Sequence, residues 1–249
     1  MALGGRATPR RAASVFAAWA GALVAIAALA IPSGYLSLRL LEDAVLFFAA
    51  APLLLAGAPP RLLRRILAGR AAARVARVLV HPLPAVLTFH ILFAISLLAP
   101  VVAVEQASPA LLAAERLVLL FAALLMWWPL LSPLHGLPRL GTAMQFVYIF
   151  VNWLAITAVF GWLLFSAGGN QGGAGVYGLS AAQDQQAGAF ALGVVSHVAY
   201  AVVGIGAFLR WVRSEHALAS PRHLYERVRR AGFDDDEAGE IAGFGGPVR

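Results

Sequence analysis

Residues Leu111–Leu131 read LLAAERLVLLFAALLMWWPLL, apolar throughout except for Glu115 and Arg116 near the start. A helix rises 1.5 Å per residue, so about 20 such residues cross the ~30 Å hydrocarbon core of a bilayer. A helix that is apolar on every side has no face to offer water. Five more runs follow the same pattern, at about 13–31, 41–57, 82–102, 142–166 and 187–210. The sequence therefore predicts an all-α fold, a polytopic membrane bundle of six transmembrane helices. The run 41–57 is the shortest, and the Pro52–Pro60 region is expected to end it.

Composition agrees. The chain has 249 residues, 61% of them hydrophobic, with a mean hydropathy of +0.79, which is far more apolar than a soluble domain. It has no cysteine, which excludes disulfides, iron–sulfur clusters and thiolate metal sites. The N-terminus carries Arg6, Arg10 and Arg11 before an apolar run from Val15, like the opening of a signal peptide. That run is too long for a typical cleaved leader and more spans follow it, so it is expected to remain as a first helix.

The charges orient the bundle. All nineteen basic residues are arginine. With six spans, every arginine except Arg39 and Arg116 falls on one side. Positive charge marks the cytoplasmic side, so both termini are expected in the cytoplasm. The implied home is a bacterial inner membrane. Arg61, Arg64, Arg65, Arg70, Arg74 and Arg77 fill the loop 58–81, separated by Leu, Ile, Val and Ala. That pattern predicts one or two short amphipathic segments on the membrane surface, in contact with anionic lipid headgroups or a partner. Nucleic acid is not expected, despite a pI near 10.9, because the arginines cluster where the chain leaves the membrane.

Three regions follow: a basic cytoplasmic N-terminus (1–12), the transmembrane domain (13–212), and a cytoplasmic short helix with an acidic, glycine-rich tail (213–249). Ser220-Pro221 predicts a capped helix to about Arg230, and the tail is expected to order only on a partner. The outer loops are 32–40, 103–110 and 167–186. The last is glycine-rich and ends in Ser180-Ala-Ala-Gln183, a capping-box pattern. No internal repeat is evident, which counts against an inverted-repeat transporter.

Polar residues within the spans are costly and therefore informative. His90 and His197 fall at similar mid-membrane depth. Facing each other they would ligate a haem; singly they would suit a pigment metal or a quinone. The plainer expectation is that each bonds a carbonyl across a helix interface. Gln145, Asn152 and Thr157 are expected to bond between helices. Arg39, Glu42, Asp43, Glu105, Glu115, Arg116 and Asp184 gather at outer helix ends, as an ion-pair cap or a docking site. Trp19, Trp127, Trp128, Trp162 and Trp211 fit interfacial anchors. No nucleophile–base arrangement, HExxH, P-loop or dinucleotide fingerprint occurs. The chain reads as non-catalytic, with no cofactor assigned.

Several segments resemble one family in order and spacing. They are Ala51-Pro52-Leu-Leu-Leu-Ala-Gly-Ala-Pro59, His81-Pro82, Trp127-Trp128-Pro129 and Asp184-Gln185-Gln186. Together they resemble the CtaG-type cytochrome c oxidase assembly factors of the seven-helix kind, over about residues 15–215. The resemblance implies one more helix at the start than this chain has. It also implies outer histidines, plausible copper ligands, at positions held here by Leu40, Ala44, Leu98, Leu112 and Arg116. None of these coordinates copper: leucine and alanine have no donor, and arginine stays protonated. Only Asp184-Gln185-Gln186 survives at that face. The first expectation is therefore an accessory or structural subunit of a membrane electron-transfer complex (an oxidase, a quinol-oxidising complex or a photosynthetic reaction centre). The alternatives are an oxidase assembly factor that binds no copper itself, and a haem- or pigment-binding protein using His90 and His197.

The charge pattern makes topology testable. A reporter enzyme fused at residue 249 should be active only in the cytoplasm, and one inserted within 167–175 only outside it. Outside activity at residue 249 would refute the six-span arrangement.

Overall fold

The computed structural model describes residues 9–30, 35–98, 101–102, 108–132, 134, 139–166, 178–218, 221–232, 234, 237 and 241. Arg6, Glu105, Ser220, the stretch 167–177 and most of the tail after Gly232 lie outside the described residues. The described elements are helical, with no strand among them. In chain order they are α1 (Pro9–Ala30), α2 (Leu36–Gly57), α3 (Pro60–Ile66), α4 (Arg70–Leu79), α5 (Pro82–Ser96), α6 (Pro109–Leu131), α7 (Thr142–Phe165), α8 (Ala181–Leu218) and α9 (Pro221–Arg230).

Each of the six expected spans coincides with a helix. α2, α6, α7 and the Ala181–Arg213 part of α8 are long and apolar enough to cross a membrane singly, and α4 with α5 would make a fifth as one broken span. The apolar part of α1 is shorter, Val15–Ala27. α5 stops at Ser96 instead of continuing to 102, with Pro100 close beyond it. The chain forms two compact units, Met1–Ala201 and Val202–Arg249. The second contains the rest of α8 and the exposed arginines of α9, Arg227, Arg229 and Arg230.

In the first unit α2 is the hub. It was expected to be the shortest span, yet it is the most buried of those that qualify singly. Pro52 does not end it. Proline has no N–H and its ring crowds the carbonyl four residues back, so the helix widens instead, into a π turn over Leu46–Ala50. Ala51 N–H then donates to Leu46 O, five residues back. The Phe47 carbonyl thereby loses its α-helical donor, and the next candidate, Pro52, has none to give. Trp127 of α6 supplies it: its Nε1 donates to Phe47 O at 2.9 Å. A sequence irregularity in one helix is thus completed by a side chain from another.

Aromatic rings pack around this joint. Phe47 meets Phe89 and Phe93 of α5 edge-on at 5.7 and 5.8 Å. Phe48 meets Phe89, Trp127 and Tyr200 at 5.9, 6.5 and 5.6 Å. Edge-to-face pairs at these distances are favourable beyond the area they bury. Trp127 and Trp128 are therefore buried core residues, not interfacial anchors. Trp19, Trp162 and Trp211 remain exposed. Close backbone approach brings α1 onto the other end of α2. A Cβ on Gly57 would lie 2.3 Å from Ala18 N, and one on Gly21 would lie 2.7 Å from Leu54 N.

Helix starts extend past the expected limits. α2 begins at Leu36, which puts Arg39 in a helix and not in the loop 32–40, and α8 begins at Ala181, not at 187. Hydropathy stops at the first charged residue, whereas the helix continues because those charges find partners within the fold. The capping box forms as the pattern predicts: Ser180 N–H donates to Gln183 Oε1 at 2.9 Å, and Gln183 N–H to Ser180 Oγ at 3.3 Å. The loop 58–81 resolves into two short helices, α3 and α4, the latter meeting α5 at a 76° bend.

The π turn generates a stability test. Trp127→Phe keeps the ring but leaves the Phe47 carbonyl unpaired, at an expected cost of about 1–2 kcal/mol. Pro52→Ala restores an N–H and should remove part of that cost when combined with Trp127→Phe. Denaturant unfolding in detergent, followed by circular dichroism, gives both values. Additive effects of the two substitutions would show that they do not share this carbonyl.

Candidate functional site

α2 and α6 hold a buried charge network about two turns in from their starts. Arg39, Glu42, Asp43 and Arg116 are all at least nine-tenths buried. Arg116 Nη2 pairs with Glu42 Oε2, and its Nε lies 3.8 Å from Asp43 Oδ1. Arg39 Nε lies 3.9 Å from Asp43 Oδ2, and its Nη2 lies 3.6 Å from Glu115 Oε1. Arg39 Nη2 also donates to Ser96 O, near the end of α5, at 3.5 Å. Asp43 thus sits between two guanidiniums, and two arginines face three carboxylates. Burial makes the partners mutually dependent, because a lone charge in this setting is far costlier than a matched pair.

Asp184-Gln185-Gln186 works beside this network as a joint between helix ends. Tyr35, at the start of α2, makes no side-chain cap. Asp184 of α8 caps that start instead. Its Oδ2 accepts from Leu36 N at 2.9 Å and Ser37 N at 3.3 Å, and its Oδ1 accepts from Ser37 Oγ. Gln185 Nε2 donates to Leu163 O and Ser166 Oγ, both at 2.8 Å, at the end of α7. The exposed Gln186 reaches Leu164 O at 3.4 Å. Gly188, one turn on, makes this possible: a Cβ there would lie 2.7 Å from Ser37 Cα. The triplet ties the starts of α8 and α2 to the end of α7.

The positions that the resemblance assigns to outer histidines fall in or beside this region. Leu40 and Ala44 are fully buried on α2, Leu98 is half exposed, and Arg116 is a member of the ion network. Leu112 lies one turn before Arg116. These side chains do not fit a copper ion: four offer no donor atom and the fifth is a cation. Among the described residues, no three His, Cys, Asp or Glu side chains converge in a metal-holding group. Ion pairs between Arg116 of α6 and Glu42 and Asp43 of α2 join the two helices here.

The mid-membrane histidines are placed differently. His90 Nδ1 faces Val86 O of its own helix at 2.9 Å, and its Nε2 is buried without a partner among the described residues. His197 Nδ1 faces Gly193 O at 2.6 Å and its Nε2 faces Thr157 Oγ1 at 3.2 Å. Trp153 and Phe160 stand edge-on to the His197 ring at 5.6 and 6.4 Å. Both histidines thus engage the carbonyl four residues back on their own helix, and the bond across a helix interface is the one from His197 to Thr157. Asn152 Nδ2 donates to Tyr148 O and Gln145 Nε2 to Leu140 O, bonds within or next to α7. Tyr148 makes an interhelical bond, donating to Met126 O at 2.8 Å. Arg61, Arg64, Arg65, Arg70, Arg74 and Arg77 are all exposed on α3 and α4.

The sequence offered these charges as an ion-pair cap or a docking site, without saying which of them pair. They stood out because charges in apolar runs are rare, but their pairing depends on which helices meet. The roles of Ser37, Ser96 and Ser166 had no sequence signal. The Phe47–Trp127 bond had a partial one, in a proline lying inside an otherwise unbroken apolar run.

Comparison with known families supplies one match. The model of the cytochrome c oxidase caa3 assembly factor family, Caa3_CtaG, matches residues 2–214. No curated protein and no solved structure matches.

The ion network yields a direct test. Arg116→Leu strands Glu42 in the interior, and the expected loss is about 3–5 kcal/mol. Glu42→Leu with Arg116→Leu removes both charges and should recover a large part of it. Unfolding of the three proteins in the same detergent decides the matter. A double variant less stable than Arg116→Leu would show that the pairing is not what secures this end of the bundle.

Proposed function

Because the chain belongs to the cytochrome c oxidase caa3 assembly factor family, we propose that it assists assembly of a cytochrome c oxidase without ligating copper at its own outer end. The family match over nearly all of the helical bundle is the observation that carries this reading. The chemistry of Leu40, Ala44, Leu98, Leu112 and Arg116 supplies the qualification about copper. In this reading the protein resides in a bacterial inner membrane with both termini in the cytoplasm. It is non-catalytic, and it acts by holding or presenting an oxidase subunit while that subunit matures.

The buried network gives such a role a physical basis. Ion pairs fix the starts of α2 and α6, and Asp184 and Gln185 lock α8 onto α2 and α7. The bundle therefore offers a shape set by internal contacts rather than by a bound ion. A permanent accessory subunit in an electron-transfer complex draws on no comparable support. The family description favours the assembly role, and the bonds made by His197 favour a structural histidine over a haem or pigment ligand.

Deleting the gene should lower cytochrome oxidase activity and the copper content of the oxidase in the membrane, and the unaltered chain should restore both. Purified protein should carry far less than one copper per chain. The chain should be recovered with immature oxidase and only in trace amounts with the mature complex. A ratio near one to the core subunits of a mature complex would replace this reading with that of a resident subunit.

A further inference from the structure

The charged loop on α3 and α4 has a geometry that the oxidase reading does not use. α4 meets α5 at a 76° bend. If α5 runs across the membrane, α4 lies close to the membrane plane. Its arginines share one face: Arg70, Arg74 and Arg77 are spaced four and three residues apart, so they line up along the helix. Val75 falls on the side away from that row and Val78 on its flank, four residues after Arg74; both are more than half exposed. α3 repeats the design, with Arg61, Arg64 and Arg65 on one side and exposed Leu62 and Ile66 on the other. No acidic residue occurs between residues 58 and 81, so nothing within this segment neutralises six guanidiniums.

We propose that α3 and α4 form an interfacial platform that binds anionic phospholipid headgroups, with the arginine rows on the phosphates and Leu62, Ile66, Val75 and Val78 in the upper acyl region. Three observations meet here. The bend directs the helix along the surface, the exposed aliphatic side chains need a cover other than water, and the uncompensated charge selects an anionic one. Lipid satisfies all three, because a headgroup layer offers phosphate above and hydrocarbon below within the thickness of one helix. Guanidinium forks bind phosphate with paired hydrogen bonds. The platform would also fix the depth of α5, since the bend at His81-Pro82 joins the two directly.

The proposal does not depend on the oxidase reading, and its test uses no oxidase. The full chain is placed in nanodiscs of phosphatidylcholine alone or with phosphatidylglycerol. Retained lipids are counted by native mass spectrometry, and hydrogen exchange is followed over residues 60–79. We expect phosphatidylglycerol to be retained preferentially and to slow exchange in α3 and α4. With Arg70→Gln, Arg74→Gln and Arg77→Gln combined, retention should fall about tenfold or more, since each basic residue near an anionic surface contributes about 1 kcal/mol. Raised salt should weaken retention by the unaltered chain. The corresponding Arg→Lys variant keeps the charge and should retain more lipid than the glutamine variant. These side chains are exposed, so thermal unfolding should be unchanged and would report any misfolding separately. Equal retention by the unaltered and glutamine proteins would overturn the proposal. So would equal exchange in the two lipid compositions, or protection of α4 that appears only when an acidic protein is added.

Discussion

In hydrocarbon, a backbone N–H or C=O without a partner has no water to turn to. The tertiary structure of this chain is organised around the places where a helix cannot meet that demand alone. Pro52 breaks the ladder of α2, and the π turn it causes exposes the Phe47 carbonyl. Trp127 closes that gap from α6. The start of α2 has open N–H groups and no local cap, and Asp184 closes it from α8. The end of α7 has open carbonyls, and Gln185 closes it from the same turn of α8. Each repair is made by a side chain on another helix, so each repair is also a contact that fixes how two helices meet.

The same constraint explains the charges. Arg39, Glu42, Asp43, Glu115 and Arg116 would be costly singly in the positions they occupy. Together they satisfy one another at the point where α2, α5 and α6 come together. Pairing at this burial favours specificity of arrangement more than net stability. It also gives a physical account of how a member of this family keeps its outer end in order with leucine and alanine at positions where histidine is expected. Salt bridges join α2 to α6 at that place.

The two ends of the bundle differ in character. Towards the end where α2, α6 and α8 begin, charges are buried and paired. On α3 and α4 they are exposed and unmatched within their own segment. Buried matched charges hold parts of the protein together, and exposed unmatched ones are available to something outside it. The further proposal about lipid follows from that difference in burial and balance, not from the number of arginines.

The sequence by itself determined the class of fold. Apolar runs of span length, such as Leu111–Leu131, leave a helix in a membrane as the one economical solution, and the spacing of Arg70, Arg74 and Arg77 placed an amphipathic helix between two of them. Ser180 and Gln183 announced a helix start that formed as written, because a capping box depends only on residues three apart. Tertiary structure decided everything that depends on which helices are neighbours. The run 41–57 looked weak because hydropathy starts it after Arg39 and counts Glu42 and Asp43 against it. Those charges belong to the helix once Arg116 and Glu115 face them. Trp127 and Trp128 looked like interface residues from their position near a helix end, but the π turn on α2 gave one of them an interior partner. Asp184-Gln185-Gln186 was recognisable as a motif and unreadable as a device, since its function is to bond the ends of helices far away in the chain. Local periodicity carries the helices; which polar groups pair between them is a property of the packed bundle.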